Sequence, residues 1–391
     1  MSQRAAINPV ANPLVEKRVV LHFPGFEPLD SKAHHARYAR AAKLSAKAWN
    51  LDLDVGALKE GGSFDVSCGS QGERTSSRVF VFDHNELVRK YSDKSLLQRL
   101  ASGYASAASV ILQGGFVGYF RHAWRFGLFF VFPFALVLLA LLLSATIAAA
   151  PYLLGLQRWN FLWSVLLGVM FFRFVFLPFA ARFHTLHLFA DWDLAVALAK
   201  LDDPAIVQWL DKCKARVRDA LREDANEYLI TSHSMGSSVA THVIGMLVEE
   251  EPALFANKQV VFVTLGGAIL QCALLRPARS LRARVGAIAR ARQIFWLEIH
   301  CLTDVIHFYK SRVVALCGHA DAPQASIATI RMRHMLTGEH YRKIRRDFLR
   351  VHRQYVLGSD LRSAFDFTLM TAGPLPATSF ADFDQNWMLK A

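Results

Sequence analysis

The chain has 391 residues, 53% of them hydrophobic and only 20% charged, with 29 phenylalanines and a mean hydropathy of +0.23. Soluble domains average about 25% charged residues, so this composition excludes a disordered or coiled-coil protein and points to a membrane segment. A formal charge of +13 implies an anionic partner, either acidic lipid or nucleic acid.

The first residues, MSQRAAINPVANPLVEKR, hold no apolar stretch. No secretory signal peptide is expected, and residues 1–17 read as a tail. VVLHF (19–23) reads as a short buried strand that ends in PGFEPLD. A helix is expected from near Ser31 to about Asn50. Strand-like runs follow at 51–55, 64–68 and 78–82, with glycine-rich turns between them, and a helical pattern resumes at Asn85. Residues 18–112 form the first part of an α/β domain on this reading.

From Phe126 to Gln157, 32 residues pass without an Asp, Glu, Lys, Arg or His. About 20 apolar residues suffice to cross hydrocarbon. A second apolar stretch, Trp159 to Ala181, holds one charge, Arg173, close enough to the helix end to reach the headgroups. Residues 113–190 are therefore read as a two-helix transmembrane hairpin, with spans at about 126–156 and 159–181. Arg121, Arg125 and Arg182 flank the hairpin, and only Arg158 lies in its turn. The positive-inside rule then places both termini and both flanking parts in the cytoplasm. The five cysteines (68, 213, 272, 301, 317) are scattered and form no CxxC pair, which fits a reducing compartment without disulfides.

Beyond the hairpin, strands and helices alternate. Pro204 to Glu223 is an amphipathic helix, EYLITS (227–232) a strand, and Met235 to Glu249 a helix. QVVFVTL (259–265) is a buried strand. A basic helix (Gln271–Arg292), the strand QIFWLEIHCLTD (293–304) and the strand SIATIRM (326–332) follow. This repetition predicts an open, mostly parallel sheet with helices on both faces. Residues 191–371 supply its second part and 372–391 a C-terminal tail.

The chemistry is expected in TSHSMGSS (231–238), between a buried strand and a helix. A serine on so sharp a turn is lifted above the sheet edge at a helix N-terminus. The pattern is S-x-S-x-G rather than G-x-S-x-G, with Ser232 in the place of the first glycine. A serine there also serves as a helix cap, so Ser234 has two readings, nucleophile and cap. A nucleophile needs a base, an acid to orient it, and donors for the oxyanion. HFPGF (22–26) offers a backbone N–H from Gly25 or Phe26, and Met235 offers a second. Asp304, at the end of its strand, is the candidate acid, with Asp321 as the alternative. His334, His340 and His352 compete as base. His352 is favoured because H-x-x-Y lets Tyr355 pack beneath the ring at the start of a helix, and His334 is its rival. His233 is read as packing or site lining. His184 and His187 in HTLH are read as interfacial.

The set HFPGF, SHSMG, TLGGA, DVIHFY and H-x-x-Y resembles the α/β-hydrolase superfamily, in its lipase/esterase branch. More narrowly it resembles uncharacterised bacterial membrane proteins in which a hydrophobic hairpin interrupts the hydrolase domain. The resemblance covers roughly residues 18–112 and 191–370. It implies a triad of Ser234, Asp304 and His352, a hairpin where a lid often sits, and a place in the bacterial cytoplasmic membrane. It also leaves the superfamily's first two strands missing or displaced. The expected activity is hydrolysis of ester or thioester bonds of lipid-like acyl substrates. An idle hydrolase fold used as a scaffold, and an acyltransferase on the same triad, are the alternatives. No phosphate-binding loop, HExxH or GxGxxG motif is present, and neither cofactor nor metal is expected. Two basic tracts, 276–292 and 331–353, are expected to face solvent or anionic lipid rather than nucleic acid.

Overall fold

The computed structural model describes residues 14–70 and 73–382. Eight strands form one sheet in the order β2-β3-β4-β1-β5-β6-β7-β8. They are β1 (Lys17–Phe23), β2 (Asp52–Val55), β3 (Ser63–Ser70), β4 (Glu73–Val81), β5 (Glu227–His233), β6 (Val260–Leu265), β7 (Ile294–Cys301) and β8 (Ser326–Ile330). From β4 to β8 all neighbours are parallel. At the far edge, β3 runs antiparallel to both β4 and β2. The expected mostly parallel α/β sheet is therefore present, and the two edge strands follow the first helix rather than preceding β1.

β1 is buried in the centre, between β4 and β5. A strand covered on both faces must be apolar on both. Val19, Leu21 and Phe23 enter one core with Ile230 and Phe262, while Val20 enters the other with Leu229 and Val261. Helices Leu96–Leu112, Thr185–Lys200, Pro204–Leu221, Gly236–Glu250 and Arg279–Arg290 contribute to the first core. Helices Ser31–Trp49 and Phe367–Ala372 contribute to the second.

The hairpin emerges from the first of these faces. Its first helix, Gly115–Leu153, starts well before the charge-free run and bends at Ala123, whose φ of −154° and ψ of 75° break the helix. Two stretches long and apolar enough to cross a membrane are Trp124–Leu153 and Asn160–Ala181, so both expected apolar helices are present, with the turn beginning a few residues early. The second helix passes through a wide π turn at Phe171–Phe176, which carries Arg173 on its exposed side. The helices touch closely at Gly168, where a Cβ would come 2.6 Å from the Ser144 carbonyl oxygen. Ser164 Oγ donates to the Ala148 carbonyl at 2.8 Å beside it. Small residues at such a contact let two apolar helices pack without a hydrophobic driving force.

Two expectations are corrected. The basic helix read as Gln271–Arg292 is split into Ile269–Ala273 and Arg279–Arg290, because Pro277 between them cannot continue a helix. Residues 372–382, read as tail, are built into the fold. Arg18 donates to the Gly373 and Leu375 carbonyls at 2.8 and 2.7 Å, and Glu227 accepts the Ala377 N–H at 2.8 Å. Arg18 and Glu227 also pair with each other at 2.6 Å with both side chains fully buried. Residues 1–13 and 383–391 of the expected tails lie outside the described residues.

Candidate active site

Parallel strands end together, so the residues just past β1, β4, β5, β6 and β7 converge on one edge of the sheet. Ser234 follows β5 directly. Its φ is +53°, a left-handed backbone that costs a residue with a Cβ roughly 1 kcal/mol or more. The turn is forced by close packing. A Cβ at Gly236 would collide with the Phe23 and Pro24 carbonyl oxygens, so glycine is required there. Ser232, in place of the usual first glycine, is fully buried and fits because its hydroxyl lies within hydrogen-bond distance of Ser237 Oγ and the Val263 carbonyl, at 3.1 and 3.2 Å. Ser234 thus stands before the N-terminus of helix Gly236–Glu250. Its own hydroxyl caps nothing among the described residues.

Asp304 lies in the turn after β7, completely buried. One carboxyl oxygen accepts the Ile306 N–H at 2.9 Å. The other meets His352 Nδ1 at 2.8 Å and His307 Nδ1 at 3.2 Å. Burial disfavours the charge on Asp304, but the facing His352 and His307 rings outweigh burial and hold the carboxyl far below its ordinary range. Room for the group comes from Gly266, at φ +52°, where a Cβ would come 2.6 Å from the Tyr355 ring and 3.1 Å from Asp304 Oδ2. Tyr355 stands edge-on to His352, ring centroids 6.1 Å apart.

The remaining candidates separate by place. His352 sits near the end of the short helix Phe348–Arg353, not at a helix start as expected, with Tyr355 in the 3-10 turn after it. Its Nε2 is buried and has no partner among the described residues. His334 is exposed, and its ring meets Arg333 Nε. His340 pairs with Asp360 at 2.9 Å beside a surface depression of about 480 Å³. Asp321 pairs with Arg290 at 2.6 Å, exposed. None of these three approaches Asp304 or Ser234.

Ser234 and His352 line one small cavity, of about 40 Å³, with Gly25, Phe26, His233, Asp191 and others. No hydrogen bond joins Ser234 to His352 among the described residues. The β1 loop reaches the serine because Gly25 has no side chain. A Cβ there would lie 2.9 Å from His233 Nδ1 and 3.2 Å from Ser234 Cβ. Three histidines fasten this region. His84, just past β4, donates from Nε2 to the Gly25 carbonyl at 2.7 Å. His187 donates to the Phe26 carbonyl at 3.0 Å and stacks on its ring, 4.9 Å between centroids. His233 donates to the His352 carbonyl at 3.0 Å. Burial keeps all three neutral. It lowers His84, pushes His187 to about 4 against the Phe26 carbonyl and with help from Arg353, and pushes His233 to about 3 with help from His352.

Because a trans peptide sets its C=O and N–H on opposite sides, the His84 bond turns the Phe26 N–H away from His84. His84 is outside the cavity wall, and Phe26, which carries that N–H, is part of it. Neither this N–H nor the Met235 N–H donates to any described residue, though Phe26 and Met235 are buried. Orphaned buried N–H groups are rare. Glu27 completes the loop. It pairs with Arg37 at 2.5 Å and with Arg353, next to His352, at 2.7 Å. Burial opposes its charge, yet the two guanidiniums hold it down at about 2.

Sequence reasoning missed His84, Glu27 and Asp191, and it read His187 as interfacial. Asp191 lines the cavity and accepts from Gln271 Nε2 at 3.0 Å. Burial raises it to about 6, against that bond and the nearby His352. The signal for His84 was its position just past a parallel strand. No family model, curated protein or solved structure matches the chain.

Proposed function

We propose that the chain is a membrane-anchored serine hydrolase of α/β-hydrolase type that cleaves ester or thioester bonds of lipid-like acyl substrates. Ser234 is the nucleophile, His352 the base, and Asp304 the group that orients and stabilises the imidazolium. The observation that carries this reading is the buried Asp304–His352 contact of 2.8 Å, with the other ring nitrogen unpartnered beside the cavity that the strained Ser234 lines. In the reaction Ser234 Oγ attacks the acyl carbon while its proton passes to His352 Nε2. The N–H groups of Phe26 and Met235, in the loop that Gly25 lets approach, take the negative charge of the carbonyl oxygen. Collapse breaks the bond to the leaving alcohol or thiol, which takes the proton from His352. Water then attacks the acyl-enzyme by the same steps in reverse and releases a carboxylic acid. The hairpin is the anchor, in a bacterial cytoplasmic membrane with both termini and the catalytic domain in the cytoplasm.

The absence of a Ser234–His352 hydrogen bond favours a second reading, an idle hydrolase fold that serves as a scaffold. A water-soluble fluorophosphonate separates the two, because it labels only an activated serine. Wild-type protein should be labelled and S234A should not. Asp304→Asn should slow turnover on the order of 10⁴-fold through the wrong ring tautomer. Folded wild-type protein that resists the probe would leave the scaffold reading standing. An acyltransferase would differ only in the acceptor that takes the acyl group.

A further inference from the structure

The depth of the site follows from counting along the hairpin. At 1.5 Å per residue, a hydrocarbon layer of about 30 Å takes up about 20 residues. Counted back from Leu153, this reaches Phe134. Counted on from Asn160, it reaches Phe179. The two arms therefore leave the hydrocarbon at one level. Below that level on the first arm, Leu128 is exposed but its aromatic neighbours turn into the domain. Phe126, Phe129 and Phe130 are buried, Phe126 against Trp192 and Phe308 and Phe130 against Trp192. Phe129 lines the catalytic cavity. It lies five positions below Phe134, or about 8 Å, at the outer edge of the headgroup layer by the same dimensions.

Between Phe129 and the hydrocarbon edge stands a half-buried aromatic collar. Phe348 touches Phe129 and Phe132 at 5.9 and 6.3 Å between centroids, and Phe132 touches Phe183 at 5.7 Å. Phe348 belongs to the same short helix as His352, and Leu349 between them lines the cavity. Arg345, Arg346 and Arg350, on or just before this helix, are exposed. One element thus presents the base to the cavity, apolar side chains to the hairpin, and guanidiniums outward at headgroup depth. The cavity itself has room for only a water or so, so an acyl chain cannot be stored inside the domain.

Resting on the hydrolase reading above, we infer that the substrate is the acyl ester of an anionic bilayer lipid. It is reached sideways along Phe129, Phe132 and Phe348, with the chain left in the bilayer and the headgroup among Arg345, Arg346 and Arg350. An ester at the top of the hydrocarbon needs to rise only by about one headgroup layer to meet Ser234. The acyl C–O bond breaks as the serine ester forms, and the lipid alkoxide leaves with the proton from His352.

The test uses the full chain in vesicles of phosphatidylcholine. One fluorophosphonate is carried on a dialkylglycerol anchor in the same bilayer, and another is short and soluble. The anchored probe should label Ser234 on the order of 10²-fold faster at equal bulk amount, as expected when both reactants share one surface. An anchored probe with an anionic headgroup should outpace a neutral one about tenfold. Labelling by the soluble probe alone would overturn the inference and leave the hydrolase reading intact. Equal rates for the two headgroups would overturn the assignment of the arginines. Failure of every probe on folded protein would instead overturn the hydrolase reading.

Discussion

Removing the His84 imidazole tests how the proposed oxyanion loop is held. Its Nε2 bond to the Gly25 carbonyl is 2.7 Å long, buried, and made by a neutral ring. In H84L the carbonyl loses its partner in a dry place, which costs about 1–3 kcal/mol of stability. The Gly25–Phe26 peptide is then free to rotate and take the Phe26 N–H with it. Loss of one oxyanion donor typically lowers kcat by about 10²–10³-fold, so turnover of a soluble ester should fall by that factor with KM little changed. H84Q keeps an N–H at similar reach and should recover much of the loss. The pH profile should keep its shape, since His84 carries no charge at working pH. A purely structural role would lower the melting temperature and leave kcat alone. If folded H84L turns over within about twofold of wild type, the Phe26 N–H is not a donor to the reaction and the argument from the trans peptide fails.

Three further outcomes are expected. Ser234→Gly should abolish activity yet leave stability unchanged or raise it by up to about 1 kcal/mol, because glycine accepts the φ of +53° without strain; a clear drop in melting temperature would show the hydroxyl to be structural. Burial raises Glu298 from 4.5 to about 8. The folded state therefore holds a proton that the unfolded state has lost, and stability falls as pH rises through that window. Glu298→Gln should flatten that slope and be the more stable protein above about pH 8, as read by melting curves across pH. Detergent, not high salt, should release the protein from membranes, since salt screens only the basic faces; release by salt alone would refute a spanning hairpin.

Much of the fold was legible because its central strands are covered on both sides. VVLHF, EYLITS and QVVFVTL carry apolar residues on both faces, and such runs stand out between helices of mixed polarity. Ser234 was legible because a tight strand–turn–helix corner needs small residues at fixed offsets, and Gly236 supplies the one that packing makes obligatory. The order of the edge strands was not legible, since β2 and β3 alternate in burial like any hairpin and nothing local says which neighbour β4 takes. His352 was hard to place for a different reason. It is brought to Asp304 by a six-residue helix and a 3-10 turn, too short for any periodicity. His84 and Asp191 belong to no motif, and the HTLH pair that holds His187 does not point to its partner. Their partners are backbone carbonyls or amides distant in sequence, a relation that only the converging strand ends create.

The long insertion does not separate the parts of the site, and the reason lies in the sheet. β1 and β5 are neighbours although Arg18 and Glu227 stand 209 positions apart, so the loop after β1 and the serine turn are adjacent whatever is inserted between them. The insertion is nevertheless tied to the site at its base. The helices that lead into and out of it, Leu96–Leu112 and Thr185–Lys200, close on one another at Gly103, where any Cβ would strike the Phe189 ring. Lys94 and Ser106 both reach Asp193, each at 2.7 Å. The returning helix also carries His187 and Asp191 into the cavity wall. The hairpin's second arm ends at Ala181, and the chain turns through His184, at φ +53°, into this helix, whose His187 holds the Phe26 carbonyl at 3.0 Å. The base of the insertion and the loop after β1 are thus joined by that hydrogen bond and by the His187 ring stacked on Phe26, 4.9 Å between centroids.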